Sequence, residues 1–312
     1  MGTPEFAVAS LEAIHKSGHE VVAVVTAPDK PAGRGQNIKF SEVKEYAVAH
    51  GFPILQPEKL RDHSFVAALR DLHADLFVVV AFRMLPEEVY TIPPLGTFNV
   101  HASLLPDYRG AAPIHWAVMN GEKKSGVTTF FLNREIDKGD IIDKTEVEIE
   151  EYETTGELYE KLMYEGAKLA IKTISAIENK KIKLISQQDI DEQTLHPAPK
   201  ILKQDTLIDW NTPAQQIFNK IRGLSPYPGA FTRIKNKSGD IFFLKCYKAS
   251  ISDEMSDELP GKMHTDGRNF LFVNTADFRI FLENVQLQGK SKMKIEDFLP
   301  GFRLENFSNI LF

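Results

Sequence analysis

Three polar residues near the middle of the chain have the types and spacing for acyl-group chemistry: Asn99 and His101, two apart, and Asp137 farther on. The pattern Gly96-Thr-Phe-Asn-Val-His reads as the end of a short strand, and side chains two apart on a strand share a face. An amide and a protonated imidazole are two hydrogen-bond donors that can converge on one developing oxyanion. A carboxylate beside them offsets the imidazolium charge, orients the ring and helps remove a proton from an attacking amine. No Ser or Cys nucleophile is needed, so direct acyl transfer between two bound groups suits the set. The same residues also read as ordinary structure, with Asn-x-His closing a strand and a loop Asp forming a turn.

The surrounding elements must bring these residues together. After His101 come Ser-Leu-Leu-Pro106, a polar turn over 107–110 and a helix opened by Pro113, a favoured first-turn residue. A second strand over 126–132 runs into the loop that carries Asp137. If both strands belong to one parallel sheet, Asp137 lies at the same carboxyl edge as Asn99 and His101, where open α/β sheets bind ligands. Upstream, the pattern predicts a helix over 4–17, a Val-rich strand over 20–26, a short strand over 53–55, and helices near 41–50 and 62–72. The apolar run 76–82 is too short to span a bilayer and reads as a buried parallel strand. This alternation predicts an α/β fold, a Rossmann-like doubly wound and mostly parallel sheet. A strand over 141–148 and a helix over 155–177 complete it. Several short strand-like runs after a helix at 213–222 predict a small C-terminal β-barrel, OB-like in character. The expected domains are therefore 1–188 for catalysis, a Pro-containing linker over 189–204 and a barrel over 205–312.

Composition sets bounds. At 312 residues and 43% hydrophobic, the chain is long enough for about two well-packed domains. It shows no charged-then-apolar leader, and its one cysteine, Cys246, allows no internal disulfide or multi-cysteine zinc site. A cytoplasmic location is expected, with no membrane partner and no metal; Asp137 and Asp140 lack companion ligands. The net charge of −6 argues against a general nucleic-acid binder, but it is uneven. From residue 191 onward the chain carries +1, and the part before it −7. Gly33-x-Gly35 lacks the third glycine of a dinucleotide fingerprint.

Asn99-Val-His101-Ala-Ser-Leu-Leu-Pro106, the following Arg109-Gly-Ala-Ala-Pro-Ile114 and Asp137-Lys-Gly-Asp140 resemble the signature of the folate-dependent formyltransferases. Members of that family move a formyl group from N10-formyltetrahydrofolate to an amine, and the resemblance implies catalytic roles for Asn99, His101 and Asp137. It further implies that Ser103, Leu104, Leu105 and Pro106, with Phe82, Met84 and Leu85, hold the folate. Many members have Gly where this chain has Arg83, which is accommodated if its side chain points away from the pocket. The family also has a short apolar strand before the Gly-Thr-Pro turn. That first strand is apparently missing here, and a start site several residues upstream is expected.

Within the family, the resemblance favours the branch that formylates the α-amine of methionyl initiator tRNA for translation initiation. A loop with the pattern Lys-Pro-Ala-Gly-Arg-Gly embraces the acceptor end in that branch, which implies tRNA contacts for Lys30, Arg34 and Lys39. Arg both neutralises phosphate and stacks on an unpaired base. Lys290, Lys292 and Lys294 alternate, so an extended segment would present them on one side to phosphates. An amino-sugar nucleotide N-formyltransferase is the enzymatic alternative, and a non-catalytic RNA-binding protein on the same scaffold is the other. A monomer is expected.

Overall fold

The computed structural model describes residues 1–32, 37–188 and 190–311. The chain divides into two compact units, one formed by 1–113, 124–148 and 159–199 and the other by 114–123, 149–158 and 200–312.

In the first unit, helix α1 (Glu5–Lys16) starts after Pro4 and buries Phe6, Ala7 and Ser10. Strand β1 (Val24–Val25) is far shorter than the apolar run 20–26 suggests. A small antiparallel hairpin, β2 (Lys30–Ala32) with β3 (Asn37–Lys39), precedes helix α2 (Glu42–Ala49). Helix α2 starts where Ser41 accepts from the Lys44 amide, a side-chain N-cap. Next come β4 (Ile54–Leu55), α3 (His63–Asp71) capped by Asp62, β5 (Phe77–Val80), and the one-turn helix α4 (Glu87–Tyr90). Strands β6 (Thr97–His101), β7 (Lys124–Phe131) and β8 (Ile141–Glu148) follow; α5 (Pro113–Met119), between β6 and β7 in the chain, belongs from Ile114 on to the second unit. The long helix α6 (Thr155–Glu178) comes after β8.

Strands β1 and β4 pair in parallel, as do β5 and β6. Met1 and Gly2 lie between these pairs: the Gly2 amide donates to Val25, the Met1 nitrogen to Val78, and the Val80 amide to Met1. Alongside the start of β5 and the segment leading into β1 lies an apolar cavity of about 140 Å³, whose lining includes Leu11, Ile14, Val22 and Leu76. Strand β7 runs antiparallel to both β6 and β8. The two strands that frame the site are therefore not parallel. The carboxyl end of β7 lies beside the start of β6, with Phe131 opposite Phe98, and the loop carrying Asp137 must fold back to reach His101.

The second unit contains α7 (Ala214–Gly223) and an antiparallel sheet of β9 (Ala230–Asn236), β10 (Ile241–Met255), β11 (Met263–Thr265), β12 (Leu271–Asn274), β13 (Phe278–Leu287), β14 (Met293–Lys294) and β15 (Phe307–Leu311). Its order is β11-β12-β13-β10-β9-β15, with β14 added on β13 and the short helix α8 (Ile295–Phe298) following β14. Among the described residues β11 and β15 do not pair, so the sheet is a curled half-barrel. Three irregularities in the long β10–β13 pairing, at Cys246/Lys248, Lys248/Ala249 and Ile251/Met255, add the local twist that such curling needs. Trp210, Ile217 and Ile221 pack with Ile234, Leu244 and Ile280 in its core. The buried indole of Trp210 donates to Thr232 Oγ1 at 3.0 Å, so its one polar atom is satisfied.

Cys246 is a strand residue of this core, and burial pushes its thiol up to about 12. The thiolate is the reactive form. We expect a thiol-specific chromogenic reagent at pH 8 to leave the folded protein unlabelled and to titrate one thiol after denaturation. Rapid labelling under native conditions would contradict this placement.

Candidate active site

Strand β6 is buried at Thr97, Phe98, Val100 and His101 and half-buried at Asn99. Asn99 lies opposite Val79 of β5 and Phe130 of β7. Its Oδ1 is buried and has no hydrogen-bond partner. A buried amide oxygen is an acceptor, so this strand end has an unused place for a hydrogen-bond donor.

His101 is held differently from the sequence expectation. Its Nε2 lies 3.0 Å from the Tyr108 carbonyl, which fixes that nitrogen as the protonated donor. The Phe130 ring meets it edge-on, with centroids 6.4 Å apart. Asp137 Oδ2 lies 3.9 Å from His101 Nδ1, within ion-pair range but beyond a hydrogen bond. That oxygen accepts instead from the Gly110 amide at 2.9 Å. Tyr108 orients the ring, and Asp137 faces the nitrogen left free. Both side chains are largely shielded from water, at 8% and 14% exposure.

The backbone is unusual where it matters. Of the five described non-glycine residues with positive φ, Ala81, Tyr108 and Asp137 lie on the three segments around the site. Such left-handed conformations cost energy and concentrate at functional sites. The 103–106 corner is firmly held. Thr128 Oγ1 accepts from the Leu105 amide and donates to the Ser103 carbonyl, while Ser103 Oγ donates to Asp107. The Lys144 ammonium donates to the Leu105 carbonyl, and burial lowers its pKa from the ordinary lysine value. Leu105 is fully buried against Phe130 and Ile141, whereas Leu104 and Pro106 are half-buried.

On the β5 edge, Leu85 is buried, Phe82 is half-buried and Met84 is 62% exposed. The Arg83 guanidinium donates to the carbonyls of Pro57 and Glu58 at 2.7 and 2.9 Å. Its charge is committed to those main-chain groups, which accommodates the departure from glycine. The structure thus gathers Asn99, His101 and Asp137 with the 103–106 corner.

The cationic candidates lie elsewhere. Lys30 and Lys39 are exposed on the hairpin of the first unit, and Arg34 lies outside the described residues. Lys290, Lys292 and Lys294 are exposed in the second unit. Only Lys294 is in a strand; Lys290 follows a tight turn whose amide bonds back to Leu287, so the three do not form a regular extended row. The Lys292 ammonium sits 4.5 Å from the centre of the Tyr247 ring. Among the described residues, no group of three or more His, Cys, Asp or Glu side chains is placed to hold a metal ion. No described helix is long and apolar enough to cross a membrane.

Sequence reasoning did not assign roles to the Tyr108 carbonyl, the Gly110 amide or Thr128. Main-chain partners carry no residue-type signal. Thr128 looks like any other strand threonine.

An amide, an imidazole and a carboxylate around a stiff apolar corner are the groups that acyl transfer would use. Residues 1–174 match the formyl transferase family model and residues 200–303 the model of the formyl transferase C-terminal domain. The chain belongs to the formyl transferase family. It is 48% identical over 305 residues to the methionyl-tRNA formyltransferase of Bacteroides fragilis, covering 97% of this chain and 94% of that protein. It is 50% identical over 305 residues to that of Azobacteroides pseudotrichonymphae, covering 96% and 94%. The enzyme of the same name from Alkaliphilus oremlandii is 44% identical over 312 residues, covering 100% and 98%. Among solved structures, the fold is similar to the sugar 3N-formyltransferase WlaRD at a TM-score of 0.62 and 21% identity, over 93% of this chain and 97% of that one.

Proposed function

We propose that the protein transfers the formyl group of N10-formyltetrahydrofolate to the α-amine of methionyl initiator tRNA. The observation that carries this reading is the 44–50% identity, along essentially the whole chain, to enzymes named for that reaction. Translation initiation places the enzyme in the cytoplasm, where it works as a monomer on a folate and a charged tRNA. The catalytic domain is 1–188 and the tRNA-contacting domain 205–312, joined by the linker 189–204.

The formylated folate supplies an activated one-carbon acyl group. In this reading the Asn99 side chain and the corner around Ser103, Leu104, Leu105 and Pro106 hold such a group, with Phe82, Met84 and Leu85 on the neighbouring edge. The α-amine of an aminoacyl ester is partly unprotonated near neutral pH and attacks without strong activation. Asn99 and the imidazolium of His101 stabilise the oxygen that gains negative charge, and they are pre-organised by β6 and the Tyr108 carbonyl. Asp137, anchored by Gly110, offsets the His101 charge and helps carry away the amine proton. No step requires a metal.

The decisive assay is formyl transfer to methionyl initiator tRNA, with uncharged tRNA and amino-sugar nucleotides alongside. Turnover of a sugar nucleotide, and not of the charged tRNA, would overturn the reading. Lys30, Arg34 and Lys39, with Lys290, Lys292 and Lys294, contact tRNA phosphates in this scheme. Arg34→Ala should therefore raise KM for charged tRNA about tenfold, leaving the folate dissociation constant unchanged. Equal loss of both affinities would show that the loop serves the fold instead.

A further inference from the structure

Gln187, in the segment after α6, is only 5% exposed, and its side-chain amide joins the two turns that carry the catalytic geometry. Its Nε2 donates to the carbonyls of Asp137 at 3.0 Å and Gly139 at 2.6 Å. Its Oε1 accepts from Arg109 Nη2 at 2.9 Å and Nε at 3.3 Å. Two carbonyls on one side and a guanidinium on the other permit only this orientation of the amide. The segment is itself tied down: Ile185 exchanges both main-chain hydrogen bonds with Ile141, at 2.9 and 2.8 Å.

The two turns so joined are the ones under backbone strain. Arg109 follows Tyr108, whose carbonyl holds His101, and precedes Gly110, whose amide holds Asp137. Tyr108 and Asp137 both have left-handed φ, at 57° and 55°. Strained conformations of this kind persist only where surrounding contacts over-determine them. Gln187 supplies such contacts on both turns at once. Arg109, 13% exposed and also 3.5 Å from Glu192, completes the bridge.

We propose that Gln187 is a positioning residue for the formyl-transfer reaction, holding Asp137 in register with His101 through the 137–139 main chain and Arg109. The proposal rests on the reading of Asp137 given above. Gln187 meets main chain and Arg109, so its loss should act on turnover and not on substrate binding. A misplacement of about 1 Å in reacting groups can cost up to a hundredfold in rate.

The test is a double-mutant cycle with a substrate-free companion. Gln187→Met, of similar length but without donors, should lower kcat about tenfold or more while leaving both KM values within about twofold. Gln187→Glu keeps an acceptor for Arg109 and loses the donors, so it should show the same loss; it serves if the Met variant folds poorly. In an Asp137→Ala background neither change should lower kcat further. An undiminished additional loss there, unchanged kcat, or a rise in KM alone would overturn the proposal. In the protein without substrates, the His101 ring resonances should shift in Gln187→Met toward those of Asp137→Ala. Unmoved resonances would also overturn it. If the wild-type protein fails to formylate charged tRNA, the substrate assignment falls, and the resonances still decide the role of Gln187.

Discussion

Replacing Asn99 with alanine should lower kcat for formyl transfer by roughly 10²–10³, the usual cost of removing one pre-organised oxyanion donor. The protein should lose little stability in exchange. Asn99 Oδ1 is buried without a partner, so truncation removes an unsatisfied polar group and breaks no hydrogen bond made by that atom. An unchanged or slightly raised Tm together with a collapsed kcat is therefore the expected signature, a local trade of stability for activity. Single-turnover formylation and calorimetry on one preparation would measure both. A near-normal rate would remove Asn99 from the mechanism. A large fall in Tm would mean that the amide is structural.

The second large effect is expected at Gly139, two residues after Asp137. A Cβ built there would lie 1.6 Å from the Phe131 carbonyl oxygen and 3.3 Å from the Phe130 ring. The obstacle is main chain of β7, which also donates from the Phe131 amide to Asp140. A rotamer change cannot relieve it. Gly139→Ala must push the 137–140 turn away from the sheet, moving Asp137 relative to His101 and disturbing the bond from Gln187 to the Gly139 carbonyl. We expect a loss of about 1–3 kcal/mol in unfolding free energy from overpacking. We also expect a fall in kcat of about a hundredfold, since the reacting geometry is displaced. Denaturant unfolding and steady-state kinetics test the two together. Wild-type values of both would show that the turn is not as close to β7 as described.

Gly139 shows what a spaced motif leaves unsaid. In Asp137-Lys-Gly-Asp140 the glycine is required because the turn presses against a strand, and only the contact with Phe131 reveals it. The main helices and a C-terminal unit of short strands were readable from hydrophobic spacing and turn residues, with α6 found within one residue of its observed end. The boundaries of the shortest strands were not. The apolar run 20–26 contains only the two-residue β1, because strand length depends on which partners lie alongside.

Periodicity cannot carry pairing direction. The apolar pattern of β7 is the same whether it runs parallel or antiparallel to β6, so the path by which Asp137 reaches His101 was decided in three dimensions. The same holds for Tyr108, Gly110 and Gln187, which act through main-chain atoms or against them and so leave little trace in residue type. The sequence by itself singled out the side chains proposed for the chemistry: an amide, an imidazole and a carboxylate at characteristic spacing. Tertiary structure alone decided what holds them, since a ring oriented by a carbonyl and a carboxylate anchored by an amide depend on where distant backbone segments meet.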